Sequence, residues 1–400
     1  MNPSVFINKV ELSNYKSIKS CRVNLGELTF LVGQNGAGKS NFLDALRLVA
    51  DSLNSPLEHA LRERGGINEV RRRSSGHPTH FTIKLHWQLP NSMNGIYGFK
   101  VGAQPKGGFE IQSEICQVCG LDQVQPWFYK VEGGKVVDSS LSVTPPVSTD
   151  RLYLVAAAGL PEFRPLYDAL THMGFYNLNP DVIREPQAPD PGEVLKRDGS
   201  NIASVLGSLS DGNKTRIVEL LSKVVPGITD ITSKLLGKRE TLEFRQRVGT
   251  NSDPWRFMSE NMSDGTLRAL GVLTALFQST GNRKYAIPLV GIEEPETAVH
   301  PGAAGILRDG IRLASQSTQV IVTSHSPDLL DDKELTADNI LSVINTNGDT
   351  VIAGLDSAGR EVLQSRLYTA GELLRVNQLA PDQEEVNRNS NIQPELILNY

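Results

Sequence analysis

The period of the apolar positions changes twice within the first fifty residues. Residues 5–12 alternate apolar and polar, as a half-buried strand does, and Gly26 and Glu27 supply a turn. Leu28 to Val32 then forms an unbroken apolar run, the mark of a strand covered on both faces. After a glycine-rich stretch, Phe42, Ala45, Leu46 and Val49 recur at helical spacing, so the predicted order is strand, glycine loop, helix. Two more buried strands are predicted at 287–292 and 319–323, joined by a helix of about 15 residues from Gly302. Each strand ends in a polar cluster, and a parallel sheet binds its ligands beyond the carboxyl ends of its strands.

Between these parts the pattern turns antiparallel. Residues 81–87, 95–101, 109–115 and 128–137 read as strands joined by Gly, Pro and Asn turns. Residues 161–173 and 213–225 read as helices, the second with Ile217, Leu220, Leu221 and Val224 on one face. Recurrent prolines from 53 to 255 exclude a long coiled-coil arm. Residues 188–192 read as a loop, 387–400 as a polar tail, and no internal repeat is evident.

Composition narrows the class. The chain has 400 residues, 39% hydrophobic and 21% charged, with 40 basic against 45 acidic side chains and a net charge of −5. That is a globular composition, large enough for two or three compact units, and it excludes a surface uniformly basic for nucleic acid. No apolar run reaches the ~18 residues of a membrane span, and the start lacks a signal-peptide core, so a cytoplasmic protein is expected. Three cysteines are too few for a disulfide scaffold.

The candidate chemistry lies at the strand ends. Gly33, Gln34, Asn35, Gly36, Ala37, Gly38, Lys39 and Ser40 match G-x-x-x-x-G-K-[ST]. Glycines let the backbone curl its N–H groups around phosphates, and the following helix adds its positive dipole end. Lys39 would neutralise the β- and γ-phosphates, and the Ser40 hydroxyl would bind Mg²⁺. Glu293 and Glu294 follow a buried strand, where an uncompensated carboxylate is costly. Glu293 is therefore assigned to metal binding and Glu294 to orienting and deprotonating the attacking water, with Glu296 structural. His325, ending the third strand, is placed to donate a hydrogen bond to a γ-phosphate.

In chain order, the phosphate loop, Met262 to Arg268 (MSDGTLR), Ile292 to Glu296 (IEEPE) and Ser324-His325-Ser326 resemble the ABC-type ATPases related to RecF, SMC and OLD proteins, grouped among the bacterial AAA family ATPases. Phe163 to Tyr167, Asp198 to Asn201 and Gly371 to Leu374 look like recurrent features of the smaller RecF-like members, which extends the resemblance over most of the chain.

The resemblance implies an α/β P-loop NTPase head of ABC type, with an inserted antiparallel β subdomain and a helical lid. Residues 1–52 and 285–376 would form the core, 53–160 the insertion, 161–284 the lid and 377–400 the tail. ATP and Mg²⁺ are the implied cofactors. Ser263, Asp264, Gly265 and Thr266 correspond to the signature motif that closes in trans over the ATP of a second protomer; Ser263 is also a good helix N-cap. Asp264 departs from the small residue usual there. Residues 297–300 fit the loop that couples two sites across a dimer, and Gln187 is the candidate Q-loop residue.

Two features lie outside that pattern. Cys116 and Cys119 have zinc-ligand spacing but no second pair, so four ligands would require dimerisation; the other reading is a partly buried thiol pair. Arg71, Arg72 and Arg73 would touch DNA phosphates, close on nucleotide, or form a solvated loop. About 75 residues follow His325, fewer than the ~100 of an appended nuclease domain. The expected role is hence an ATPase that dimerises on ATP and controls a nearby-encoded effector in prokaryotic anti-phage defence. The alternatives are a RecF-like DNA-binding ATPase of repair and a slow ATP-gated scaffold.

Overall fold

The computed structural model describes residues 5–74, 78–90, 92–120, 125–249, 253–278, 286–390 and 393–398. The chain forms two compact units, Met1–Met173 with Thr336–Gln364 and Leu379–Tyr400, and Gly174–Leu335 with Ser365–Gln378.

In the first unit the strands lie in the order Lys135–Ser139, Trp127–Glu132, Phe109–Cys119, Asn94–Ala103, His80–Gln88, Ile7–Tyr15, Ile18–Asn24, Asp349–Gly354, Ile340–Thr346 and Leu28–Val32. Strand Leu28–Val32 is buried at every position, as its unbroken apolar run requires, and pairs parallel to Ile340–Thr346. Helix Lys39–Asn54 follows it and buries Phe42, Ala45, Leu46 and Val49. Tyr15, Phe81 and Phe99 meet edge to face in the core.

The expected antiparallel insertion is built into the sheet of the first unit. Strand His80–Gln88 pairs with Ile7–Tyr15 along its length, so the hairpins continue one sheet. The edge of strand Ile7–Tyr15 leaves backbone donors and acceptors that the hairpins satisfy. The single strand expected at 128–137 is a hairpin, broken by Gly133 and Gly134 at positive φ. The tail also differs: Gln383–Asn389 is a helix, capped by Asp382 and tied to the sheet by Ser20 Oγ donating to the Asn389 carbonyl.

The second unit has three parallel strands, Gly174–Tyr176, Leu289–Glu293 and Gln319–Ser324. Helix Asp264–Phe277 is buried from Thr266 to Phe277, and helices Asp211–Val224 and Pro301–Ser315 belong to the same unit. The region expected to be a helical lid also holds an antiparallel sheet of Ile228–Leu236, Arg239–Gln246 and Trp255–Met258. Its strands mix charged and apolar residues without clean alternation, which hid them from a periodicity reading. Among the described residues no helix is long and apolar enough to cross a membrane.

Candidate active site

The phosphate loop is shaped by what surrounds it. A Cβ on Gly33 would strike the Val343 carbonyl of the neighbouring strand, and one on Gly38, at φ +104°, would strike the Thr350 side chain. Thr350 is the fixed point: its Oγ1 donates to the Ala37 carbonyl at 2.8 Å and lies 2.7 Å from Ser17 Oγ, which accepts from Asn41 Nδ2 at 2.6 Å. A polar clamp from a strand, a turn and the helix itself thus holds the loop, and no pattern near the motif announces it.

Helix Lys39–Asn54 begins with no side-chain cap and no acid in its first turn, leaving its positive end facing the loop. Lys39 is buried, giving Nζ to the Gly33 carbonyl at 2.8 Å and the Gln34 carbonyl at 3.0 Å. Gln34, Asn35, Gly36 and Ser40 face solvent, whereas Ala37 is buried.

One turn into this helix lies a charge cluster that the sequence reading missed. Asp44 meets Lys16 Nζ at 2.6 Å, Arg47 at 2.7 Å and Arg64 Nε at 3.0 Å, and accepts from Tyr15 Oη at 2.8 Å. Burial opposes its charge, yet Arg64 and Lys16 outweigh burial and hold the carboxyl at about 2.

The second unit carries the acid–histidine cluster. Glu293 pairs with Thr323 in the parallel register, so the residues just beyond these strands converge. Glu294 adopts φ +44°, a conformation that costs a non-glycine residue energy, and its N–H donates to the Thr323 carbonyl at 3.0 Å. Its Oε1 lies 3.3 Å from His325 Nδ1. Glu296 accepts from Ser324 Oγ at 2.7 Å and from the His325 N–H at 3.3 Å, which makes it the brace of the histidine turn. Arg268, buried, gives Nη2 to the carbonyls of Glu293 and Glu294 at 2.8 and 2.9 Å, and Arg197 holds Glu293 Oε1 at 2.8 Å.

Ser263 caps the signature helix, accepting from the Thr266 N–H at 3.3 Å and meeting Thr266 Oγ1 at 2.8 Å. Asp264 pairs with Arg184, so the unexpected acid is compensated. A Cβ on Gly265 would meet the Ala298 carbonyl at 2.6 Å, which explains the glycine and seats the signature against the turn after Glu294.

Other expected sites resolve differently. Gln187 is buried with its amide bonded to the Gly199 carbonyl at 3.0 Å and the Ala203 N–H at 3.2 Å, so it is spent inside the fold and is not a free Q-loop side chain. Cys116 and Cys119 are three apart on one strand and project to opposite faces, which prevents one metal ion from taking both. Arg71 donates to the Pro78 carbonyl, Arg72 pairs with Asp349 and Arg73 with Glu69, so the basic run is not an uncompensated patch. Of the recurrent features, Gly199 takes φ +85° in a turn bound by Asp198, and Gly371 sits against the Pro327 carbonyl; both shape turns.

Residues 6–105 match a family model described as AAA ATPase domain, and residues 175–331 one described as AAA domain, putative AbiEii toxin, Type IV TA system. The solved head domain of SMC bound to the C-winged helix domain of ScpA aligns with 88% of this chain and 99% of its own at a TM-score of 0.55 and 16% identity, a likeness of fold. A second SMC head, in complex with the C-terminal domain of ScpA derived from Pyrococcus furiosus, gives a TM-score of 0.50 at 14% identity over 90% of this chain and 99% of its own. The Old nuclease of Escherichia phage P2 is 23% identical over 380 residues, 87% of this chain and 61% of that protein. The chain resembles OLD proteins in sequence and has the fold of the ABC-type P-loop ATPase heads. A further relative, YbjD of Escherichia coli (strain K12), is 26% identical over 359 residues, 82% of this chain and 59% of its own length. The OLD-like chain thus spans about three fifths of the length of the curated relatives it matches. Likeness to AAA ATPase domains over both segments supports ATP hydrolysis in general.

Proposed function

We propose that this chain is a cytoplasmic, Mg²⁺-dependent ATPase that dimerises on ATP and uses the cycle to control an effector in prokaryotic defence. The observation that carries the reading is the phosphate loop itself: a clamped glycine cradle at an uncapped helix end, with Lys39 drawn in on its carbonyls. Lys39 would exchange those carbonyls for phosphate oxygens, a stronger partner for an ammonium. Ser40 and Glu293 each offer an oxygen, the hard donor that Mg²⁺ takes, and the bound ion would neutralise phosphate charge.

Glu294 is proposed as the base that orients water and accepts its proton, with His325 contacting the γ-phosphate. The fixed backbone at Glu294, held by Thr323 and Arg268, supports a set direction for that carboxylate. Ser263, Asp264, Gly265 and Thr266 are proposed to complete the site of a second copy, with the Ser263 hydroxyl and the Gly265 N–H as phosphate donors. The SMC head solved with a ScpA domain and the family model described as a putative toxin support control of a partner. A relative named as a nuclease, matched over three fifths of its length, favours an effector acting on nucleic acid.

Lys39→Ala should abolish nucleotide binding, whereas Glu294→Gln should bind ATP as tightly as the unsubstituted chain, stop phosphate release and accumulate as a dimer. Equilibrium binding and single-turnover phosphate release separate the two; equal loss of ATP affinity in both would overturn the assigned roles.

A further inference from the structure

The first unit contains a cavity of about 860 Å³ at the opposite edge of its sheet from the phosphate loop. It is lined by Ile340 and Leu341, where strand Ile340–Thr346 begins, whereas the loop follows the end of the parallel strand Leu28–Val32. Five residues at ~3.3 Å each put about 15 Å between these edges, so the cavity is not part of the nucleotide site.

Among its charged side chains cations outnumber carboxylates. Lys9 and Arg22 reach it from adjacent strands, Arg360 and Arg388 from two helices, and its carboxylates are Asp338 and Glu385. Both acids already have partners: Asp338 lies 3.7 Å from Arg360, and Glu385 accepts the Gly354 N–H at 2.9 Å. Beneath the wall, buried Glu11 takes Arg22 at 3.0 Å and His86 at 3.0 Å, with Lys9 at 3.9 Å. One carboxylate thus serves two cations and an imidazole. Burial opposes the charge on Glu11, but His86 and Arg22 hold its carboxyl at about 2, so it stays ionised behind the wall. The Arg22 Nε is buried with no hydrogen-bond partner, and Arg388 gives its Nε only to a helix carbonyl at 3.3 Å.

We propose that this cavity binds a small phosphorylated anion of nucleotide size, at a second site separate from the phosphate loop. The size falls within the ~300–1,000 Å³ usual for small-molecule sites. Arginine forks reaching it from both sheet and helix suit phosphate oxygens, which accept several charge-assisted hydrogen bonds at once. A volume of this order suits a free small ligand.

The test uses Lys39→Ala chain, so that the phosphate loop contributes little, titrated calorimetrically at low salt with ADP, with inorganic pyrophosphate and with a 5′-phosphorylated oligonucleotide. One equivalent of ADP or pyrophosphate should bind, and Arg360→Gln with Arg388→Gln should weaken it at least tenfold while leaving the ligand-free melting temperature in place. These two arginines come from helices Ser357–Gln364 and Gln383–Asn389, so the variant avoids the buried Glu11 network. No binding of either small probe, or binding indifferent to both substitutions, would overturn the site. Tenfold tighter binding of the oligonucleotide would overturn the small-ligand assignment in favour of a nucleic-acid end.

Discussion

At the residue scale, buried charge is what most constrains this protein. Asp44 neutralises Arg64, whose side chain is 2% exposed, along with Lys16 and Arg47. Asp44→Asn would leave Arg64 buried with a weaker partner, so we expect a loss of about 3 kcal/mol in denaturant unfolding at pH 7. The pH sign follows from its lowered carboxyl. The Asp44 contribution is fully present above the ordinary carboxylate value of 3.8 and is lost as pH falls through about 2. The difference between the unsubstituted chain and Asp44→Asn should therefore shrink between pH 4 and pH 2; a constant difference would refute the coupling. Glu11 adds to the acid sensitivity of both proteins, so only their difference isolates Asp44.

At the scale of the element, the phosphate loop illustrates how a local motif depends on distant strands. Its glycines, lysine and serine form a motif legible in the sequence. The residues that hold it, Thr350, Ser17 and Asn41, come from strand Asp349–Gly354, a turn and the helix, and only the fold brings them together. Thr350→Val keeps the shape and removes the hydroxyl that donates to the Ala37 carbonyl, at a cost of about 1–2 kcal/mol. With Lys39 intact, the dissociation constant for ATP should rise roughly tenfold. An unchanged constant would mean that the loop keeps its form without the clamp. The same logic explains Gly265, which reads as part of the signature but is required because the turn at Ala298 leaves no room for a side chain.

At the scale of the whole molecule, the proposed cycle needs two copies. A chain with Ser263→Arg and one with Lys39→Ala should each be inactive, but their mixture should recover ATP hydrolysis, because each heterodimer retains one site with a working loop and a working signature. No recovery, with heterodimers confirmed by mass, would count against action in trans. Of the basic run offered as one possible DNA contact, Arg71 and Arg72 are committed to a carbonyl and a carboxylate.

The sequence by itself determined the elements whose chemistry is local. An unbroken apolar run made the strand Leu28–Val32, 3.6-residue spacing made the helix after it, and the polar clusters at the strand ends marked the loop, Glu293, Glu294 and His325. Tertiary structure decided what depends on partners far along the chain. It joined the hairpins from 80 to 139 to strand Ile7–Tyr15, because backbone groups at a strand edge pair with whichever strand the fold brings beside them. It drew Gln187 into a buried amide network, gave Asp264 its arginine and set Glu296 under the histidine turn. A side chain's type announces which bonds it can make, but its position in three dimensions selects the bond, since hydrogen bonds and ion pairs act over a few ångströms and carry no memory of sequence distance.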